Sequence, residues 1–186
     1  DGRVKKACVF LADGFEEIEG LTVVDVLRRA GVDVKTVSVM NTKRIEGSHG
    51  IILEADEQFE EAEMEDVDLL VLPGGLPGTW HLRDHKGLTE LLRSFDKKEK
   101  RIAAICAAPS VFGGMGLLKG RKACSYPSME DQLDGAEVVH TPFVTDGHIT
   151  TGRGMGAALP FALELTALLC GKEKADEIAE SIVYVG

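Results

Sequence analysis

The sequence predicts an α/β fold, a mostly parallel sheet with helices on both faces. Two observations carry that expectation. Apolar runs of strand length alternate with helix-period segments along most of the chain. Three of those runs, 7–12, 68–72 and 101–106, are nearly all apolar, as central strands covered on both faces are. The length of 186 residues suits one substantial core. No linker, internal repeat or low-complexity segment interrupts it, so a single domain over 1–186 is expected.

ACVFLA (7–12) reads as the first strand, and EEIEGLTVVDVLRRAG (16–31) as a helix stopped by Gly31. Ile18, Leu21, Val24 and Leu27, or Leu21, Val24, Asp25 and Arg28, mark opposite faces of that helix at spacings of three and four. DVKTVSVM (33–40) is the second strand and DLLVLPGG (68–75) the third, with LTELLRSFDKK (88–98) a helix after it. RIAAIC (101–106) is the fourth. RKACSY (121–126), EVVH (137–140) and FVTDGHITTG (143–152) follow. The Asp-Gly within the last of these signals a hairpin turn, because that pair accepts the twisted backbone a two-residue turn needs. A final helix is expected from about Ala157 to Cys170.

Composition excludes several classes of function. The formal net charge of -10 argues against a nucleic-acid partner, which requires a clustered basic face. The acidic run 57–68 and the mixed run 93–101 read as solvated surface. No apolar run reaches the roughly 18 residues that span a bilayer, so no membrane partner is expected. The opening DGRVKKACVFLADG has the basic-then-apolar order of a secretion signal. Its apolar stretch falls short of an h-region of about 7–15 residues, and a strand is the better reading. Cys8, Cys106, Cys124 and Cys170 form no metal-ligand spacing and no disulfide framework. Free thiols in a cytoplasmic protein, with no metal and no cofactor, are the expectation.

Ligands in parallel sheets sit beyond the carboxyl ends of the strands. LADGFEEIEG, LPGGLPG and AICAAP all fall there. Cys106 stands where a strand hands over to a helix. There, the amides of Ala107 and Ala108 are expected to lower its pKa from roughly 8.5 toward 3.5–7.5. Pro109 suits the first helical turn. The glycines Gly74 and Gly75 add free amides for an oxyanion hole. Core filler is the competing reading of Cys106. Glu16 and Glu17 read as solvent-facing residues of a first helical turn, whereas Glu19 points back toward the strand ends as a proton donor or shuttle.

In this order and spacing, LADGFEEIEG, DVLRRAG, LPGGLPG, AAICAAP, YPSMEDQ and ITTGRGMG resemble the ThiJ/PfpI superfamily, in particular its DJ-one-like subgroup. The resemblance spans essentially the whole chain. It implies a flavodoxin-like three-layer sandwich, a nucleophile elbow at Cys106 and a hydrogen-bonded glutamate at Glu19. It also implies oxyanion amides at Gly75 and Ala107, and a homodimer. The activities it implies are cofactor-independent. One is glyoxalase-type conversion of methylglyoxal or glyoxal to a hydroxy acid; another is deglycation of proteins or nucleotides. An oxidative-stress sensor or chaperone using the same oxidisable cysteine is the alternative, and a small cysteine amidase or peptidase a weaker one.

Two departures from the family pattern bear on mechanism. The peptidase branch has histidine directly after its cysteine, where this chain has Ala107. The subgroup's parkinsonism-associated member has histidine where this chain has Tyr126, a hydrogen-bond donor but a poor base at neutral pH. His49 stands where that relative has an arginine reaching the partner's site, and is read either as an auxiliary cation or as a surface turn residue. His81 is a weaker candidate near the site entrance. His85, His140 and His148 read as surface or strand-end residues. Arg28 and Arg29 read as dimer contacts or solvent-facing residues, and Arg153 as part of a structural ion pair.

Overall fold

A computed structural model describes residues 2–186. Strand β1 (Lys6–Leu11) leads to helix α1 (Glu17–Arg29) and strand β2 (Asp33–Ser38). A small hairpin, β3 (Arg44–Glu46) and β4 (Ile52–Glu54), and the short strand β5 (Glu57–Gln58) come next. Strand β6 (Leu69–Leu72) is followed by α2 (Gly78–Asp84) and α3 (Lys86–Lys97). Strand β7 (Arg101–Ile105) runs into α4 (Pro109–Gly114). The chain continues through β8 (Lys122–Ala123), β9 (Glu137–Val138), β10 (Phe143–Asp146) and β11 (Ile149–Gly152). It closes on α5 (Ala158–Cys170) and α6 (Lys172–Ser181).

Seven strands form the main sheet in the order β10-β11-β7-β6-β1-β2-β5, parallel except for the β10–β11 hairpin. The two-residue period of β1 divides the core. Ala7, Val9 and Leu11 face a cluster built with Val23 and Leu27 of α1 and Phe161 and Leu165 of α5. Cys8 and Phe10 face the opposite cluster, with Leu88, Leu92 and Phe95 of α3 and Phe112 of α4. Layers of helix, sheet and helix result. Each fully buried leucine or phenylalanine contributes about 1.5–3 kcal/mol over an exposed one.

Helix α1 begins at Glu16, whose carboxylate accepts the Ile18 N–H at 2.6 Å. It ends where Gly31 takes a φ of +86°, letting the Val32 N–H reach the Leu27 carbonyl at 3.0 Å. Of the apolar face its spacing marks, Val24 and Leu27 turn to the core. Ile18 and Leu21 are exposed, and Val23, Val24, Val26 and Leu27 are buried. The registers at 18–21 and 23–27 are both apolar, and only the neighbour α5 decides between them.

Other elements differ from expectation. Strand β2 stops at Ser38, and the expected strands 121–126 and 137–140 shrink to the two-residue pair β8–β9 in a separate sheet. Helix α6 lies in a mostly charged segment, anchored by Ala175 and Ile178 alone, which is too few apolar positions to register as a period.

Candidate active site

Because β1, β6 and β7 are adjacent and parallel, the loops after Leu11, Leu72 and Ile105 converge at one end of the sheet. Glu16 N–H donates to the Gly74 carbonyl at 2.8 Å, and Gly78 N–H to the Gly14 carbonyl at 3.3 Å, so the first two loops are locked together. Gly74 is wedged between partners. A Cβ there would lie 2.6 Å from Glu19 Oε1 and 2.7 Å from the Cβ of Cys106.

Cys106 follows β7 with a φ of +65°, left-handed backbone rare for a residue with a side chain. Two backbone bonds hold it there. Its N–H donates to the Gly152 carbonyl at 2.9 Å, and its carbonyl accepts the Tyr126 N–H at 2.8 Å. The left-handed turn aims the half-buried thiol at Glu19, and the Ala107 amide also acts on the sulfur.

Glu19 is 1% exposed. Its Oε1 accepts the Gly74 N–H at 3.1 Å, while Oε2 is buried without a well-aligned donor. The Cys106 thiol is the side chain interacting with this carboxyl. Burial pushes the Glu19 carboxyl up to about 7, with the charge of Glu16 adding to the rise. Burial also raises the Cys106 thiol, and the nearby Glu19 charge raises it further, against the opposing pull of the Ala107 amide. The expected depression of the cysteine pKa is therefore reversed. A six-residue helix and one amide cannot outweigh desolvation beside a carboxylate. The pair titrates as a unit, bearing two protons below about 7 and one above it.

The amides are not equivalent. Gly74 spends its N–H on Glu19, so of the expected oxyanion donors it is the one already engaged. Gly75 has a φ of +93°, and no acceptor among the described residues takes its N–H. Gly75 and Ala107 thus present amides on two sides of the thiol's loop cluster. Tyr126 is half exposed beside Cys106, ahead of a single 3-10 turn at Pro127–Gln132.

The acidic residues before and inside α1 are not solvated as expected. Glu17 is 4% exposed and accepts the N–H groups of His49 at 2.9 Å and Ile51 at 3.2 Å, bonds that hold it below the ordinary carboxylate range. Gly47 makes room for it, since a Cβ there would lie 2.4 Å from the carboxyl carbon. His49 Nδ1 sits 3.1 Å from Glu16 and 3.2 Å from Glu17, with its ring largely exposed. These three side chains are also the group whose potential metal-ligating atoms lie within 4.8 Å of one another, and the ion pairs account for that closeness.

The other candidates lie apart. His81 lines a separate depression with Met40, Asp84 and His85, not the Cys106 site. His85 caps α3 by accepting the Leu88 N–H at 3.0 Å. His148, at the strand end just before β11, is buried and paired with Asp96 at 2.7 Å. Arg28 bonds Asp56 and the Val34 carbonyl, and Arg29 bonds Asp25. The ion pair expected at Arg153 is absent among the described residues, and its buried Nε has no hydrogen-bond partner. No helix among the described residues is long and apolar enough to cross a membrane.

Protein DJ-1 homolog B of Arabidopsis thaliana is 39% identical over 181 residues, 96% of this chain and 41% of that protein. The chain thus spans under half the length of that plant relative. Deglycase TK1284 of Thermococcus kodakarensis is 31% identical over 166 residues, 88% of this chain and 99% of its own. Among solved structures, oxidized Toxoplasma gondii DJ-1 superposes with a TM-score of 0.94 at 37% identity, covering 98% of this chain and 100% of that one. That likeness extends to the mostly parallel sheet and its flanking helices. The DJ-1/PfpI family pattern matches residues 5–168, and the chain belongs to the DJ-1/PfpI family.

Proposed function

We propose that the protein converts reactive α-oxoaldehydes such as methylglyoxal to 2-hydroxy acids, with Cys106 as nucleophile and no cofactor. The observation that carries this reading is the Cys106–Glu19 pair, a half-buried thiol on a left-handed turn held against a buried carboxyl that titrates about neutrality. A relative named as a deglycase supports carbonyl adducts as the substrate class.

The thiol gives its proton to Glu19 as sulfur bonds to the aldehyde carbon, C1, and the oxyanion forms beside the Gly75 and Ala107 amides. A proton leaves C1 and another is delivered to C2, with Glu19 as the shuttle, leaving a thioester at C1 and a hydroxyl at C2. Water then displaces the sulfur. C1 is oxidised and C2 reduced within one molecule, so no external oxidant or reductant is required.

The test is lactate formation from methylglyoxal without glutathione. The rate of the wild type is expected to rise with pH through an apparent pKa about 7 and level off above it, because only the singly protonated pair supplies a thiolate. Glu19→Gln is expected to lose about a hundredfold or more. Its rising limb should also move to higher pH, since burial keeps the lone thiol above its ordinary value. No lactate above background from the wild type would move the reading to a redox sensor, whose Cys106 oxidises stepwise to sulfinate.

The same reading pairs two copies of the chain. Ile18, Leu21, Ile51 and Leu159 are exposed around a shallow groove beside α1, an apolar surface suited to a twin. Sedimentation velocity should give twice the chain mass, and a monomer at micromolar concentration would remove this part of the proposal.

A further inference from the structure

Arg153 follows β11 and carries an unmatched charge. Its buried Nε has no acceptor, and no carboxylate among the described residues lies within ion-pair distance. A guanidinium stays charged at any working pH and presents a flat fork of donors that matches an oxyanion. It lines a cavity of about 500 Å³ with Tyr126, Pro127, His140, Pro142 and Met155, and no acidic residue is among the lining side chains. Glu130, outside that lining, faces His140 at 3.2 Å.

Two backbone bonds tie the walls of this cavity to the loop that carries Cys106, whose thiol does not itself line it. Gly152, the residue before Arg153, accepts the Cys106 N–H at 2.9 Å, and Tyr126 donates its N–H to the Cys106 carbonyl at 2.8 Å. The walls flanking Arg153 are proline, methionine, tyrosine and histidine, none of them a competing anion. A cation without a counter-ion, in a cavity that shares Tyr126 with the surroundings of Cys106 on a chain of net charge -10, is a place suited to an anion.

We propose that Arg153 is a specificity residue that selects α-oxoaldehydes carrying an oxyanion, a carboxylate or a phosphate, on the group beyond the reacting carbonyls. The inference rests on Cys106 acting on an α-oxoaldehyde. For 4,5-dioxopentanoate the sulfur bonds C5, C5 is oxidised to the acid while C4 is reduced to the alcohol, and water releases 2-hydroxyglutarate. The distal carboxylate is held by the Arg153 fork throughout and takes no part in the redox change.

The experiment compares kcat/KM for 4,5-dioxopentanoate with that for neutral 2-oxopentanal, a chain of equal carbon number. The wild type should prefer the anion by about tenfold or more, the size of one charge-assisted contact, and the preference should shrink as salt rises. Arg153→Gln should abolish the preference, largely through KM, and Arg153→Lys should restore part of it. A third arm with 3-phosphooxy-2-oxopropanal tells phosphate from carboxylate selection. Equal kcat/KM for the charged and neutral aldehydes in the wild type overturns the inference, as does a preference that survives in Arg153→Gln. If the wild type turns over neither aldehyde, the reaction itself is wrong. Titration of glutarate into Cys106→Ser protein then decides the arginine. Binding lost on adding Arg153→Gln upholds it, and no binding, or binding unaffected by that change, refutes it.

Discussion

Cys106→Ser is expected to lower lactate formation from methylglyoxal by about a thousandfold or more, on the order of 4 kcal/mol of transition-state stabilisation. The exchange replaces one side-chain atom and touches no backbone group, so the left-handed turn and its two backbone bonds to Gly152 and Tyr126 should persist. What changes is acidity. Glu19, with a pKa near 7, takes the proton of the buried thiol only as the C–S bond forms, and a serine hydroxyl is a still weaker acid and a poorer nucleophile there. The fold is checked by an unchanged thermal midpoint, and the chemistry by lactate yield. A serine variant keeping more than a tenth of the wild-type rate would remove Cys106 from the mechanism.

Gly75→Ala should destabilise the fold by about 3 kcal/mol, among the larger effects of a single substitution. Its φ of +93° already disfavours a side chain, and the added Cβ would lie 2.3 Å from the Glu16 nitrogen and 2.8 Å from the Gly14 carbonyl oxygen. Those neighbours are backbone atoms and cannot rotate away. Gly31→Ala is the control: its φ of +86° brings similar strain, but nothing lies within 4 Å of the new carbon. That variant should lose only about 1 kcal/mol. Urea midpoints measure both. Equal losses would mean that the loop carrying Gly75 yields to accommodate the methyl group, and turnover in Gly75→Ala would then show whether its amide matters.

The distribution of legible and illegible features follows from distance along the chain. Strands β1, β6 and β7 are readable because each is a short apolar run. Their carboxyl-end loops are readable because glycine and proline punctuate them. Helix α6 is not, because only Ala175 and Ile178 are buried in it. The half-exposed apolar face of α1 has a similar origin: its local period accommodates two stripes, and packing against α5 buries Val23 and Leu27 while Ile18 and Leu21 stay exposed.

Around Cys106 the division is sharper. The spacing in AICAAP and the small residues after the cysteine suffice to suggest a strained corner. The direction of its pKa is beyond them, because the Glu19 charge that raises it comes from a segment 87 residues earlier in the chain. Glu17, so ordinary in a first helical turn, is buried by a hairpin loop that supplies N–H donors from His49 and Ile51. Arg153 reads as half of an ion pair until its surroundings prove to hold no carboxylate partner.

By itself, then, the sequence determined the alternation of strands and helices, the central strands and the three loops that meet, since periodicity and turn chemistry act over a few residues. Only the tertiary structure decided which carboxylates are buried, which amides stay free and which charge lacks a counterpart. Burial and pairing are set by groups distant in the chain that folding alone brings within a few ångströms.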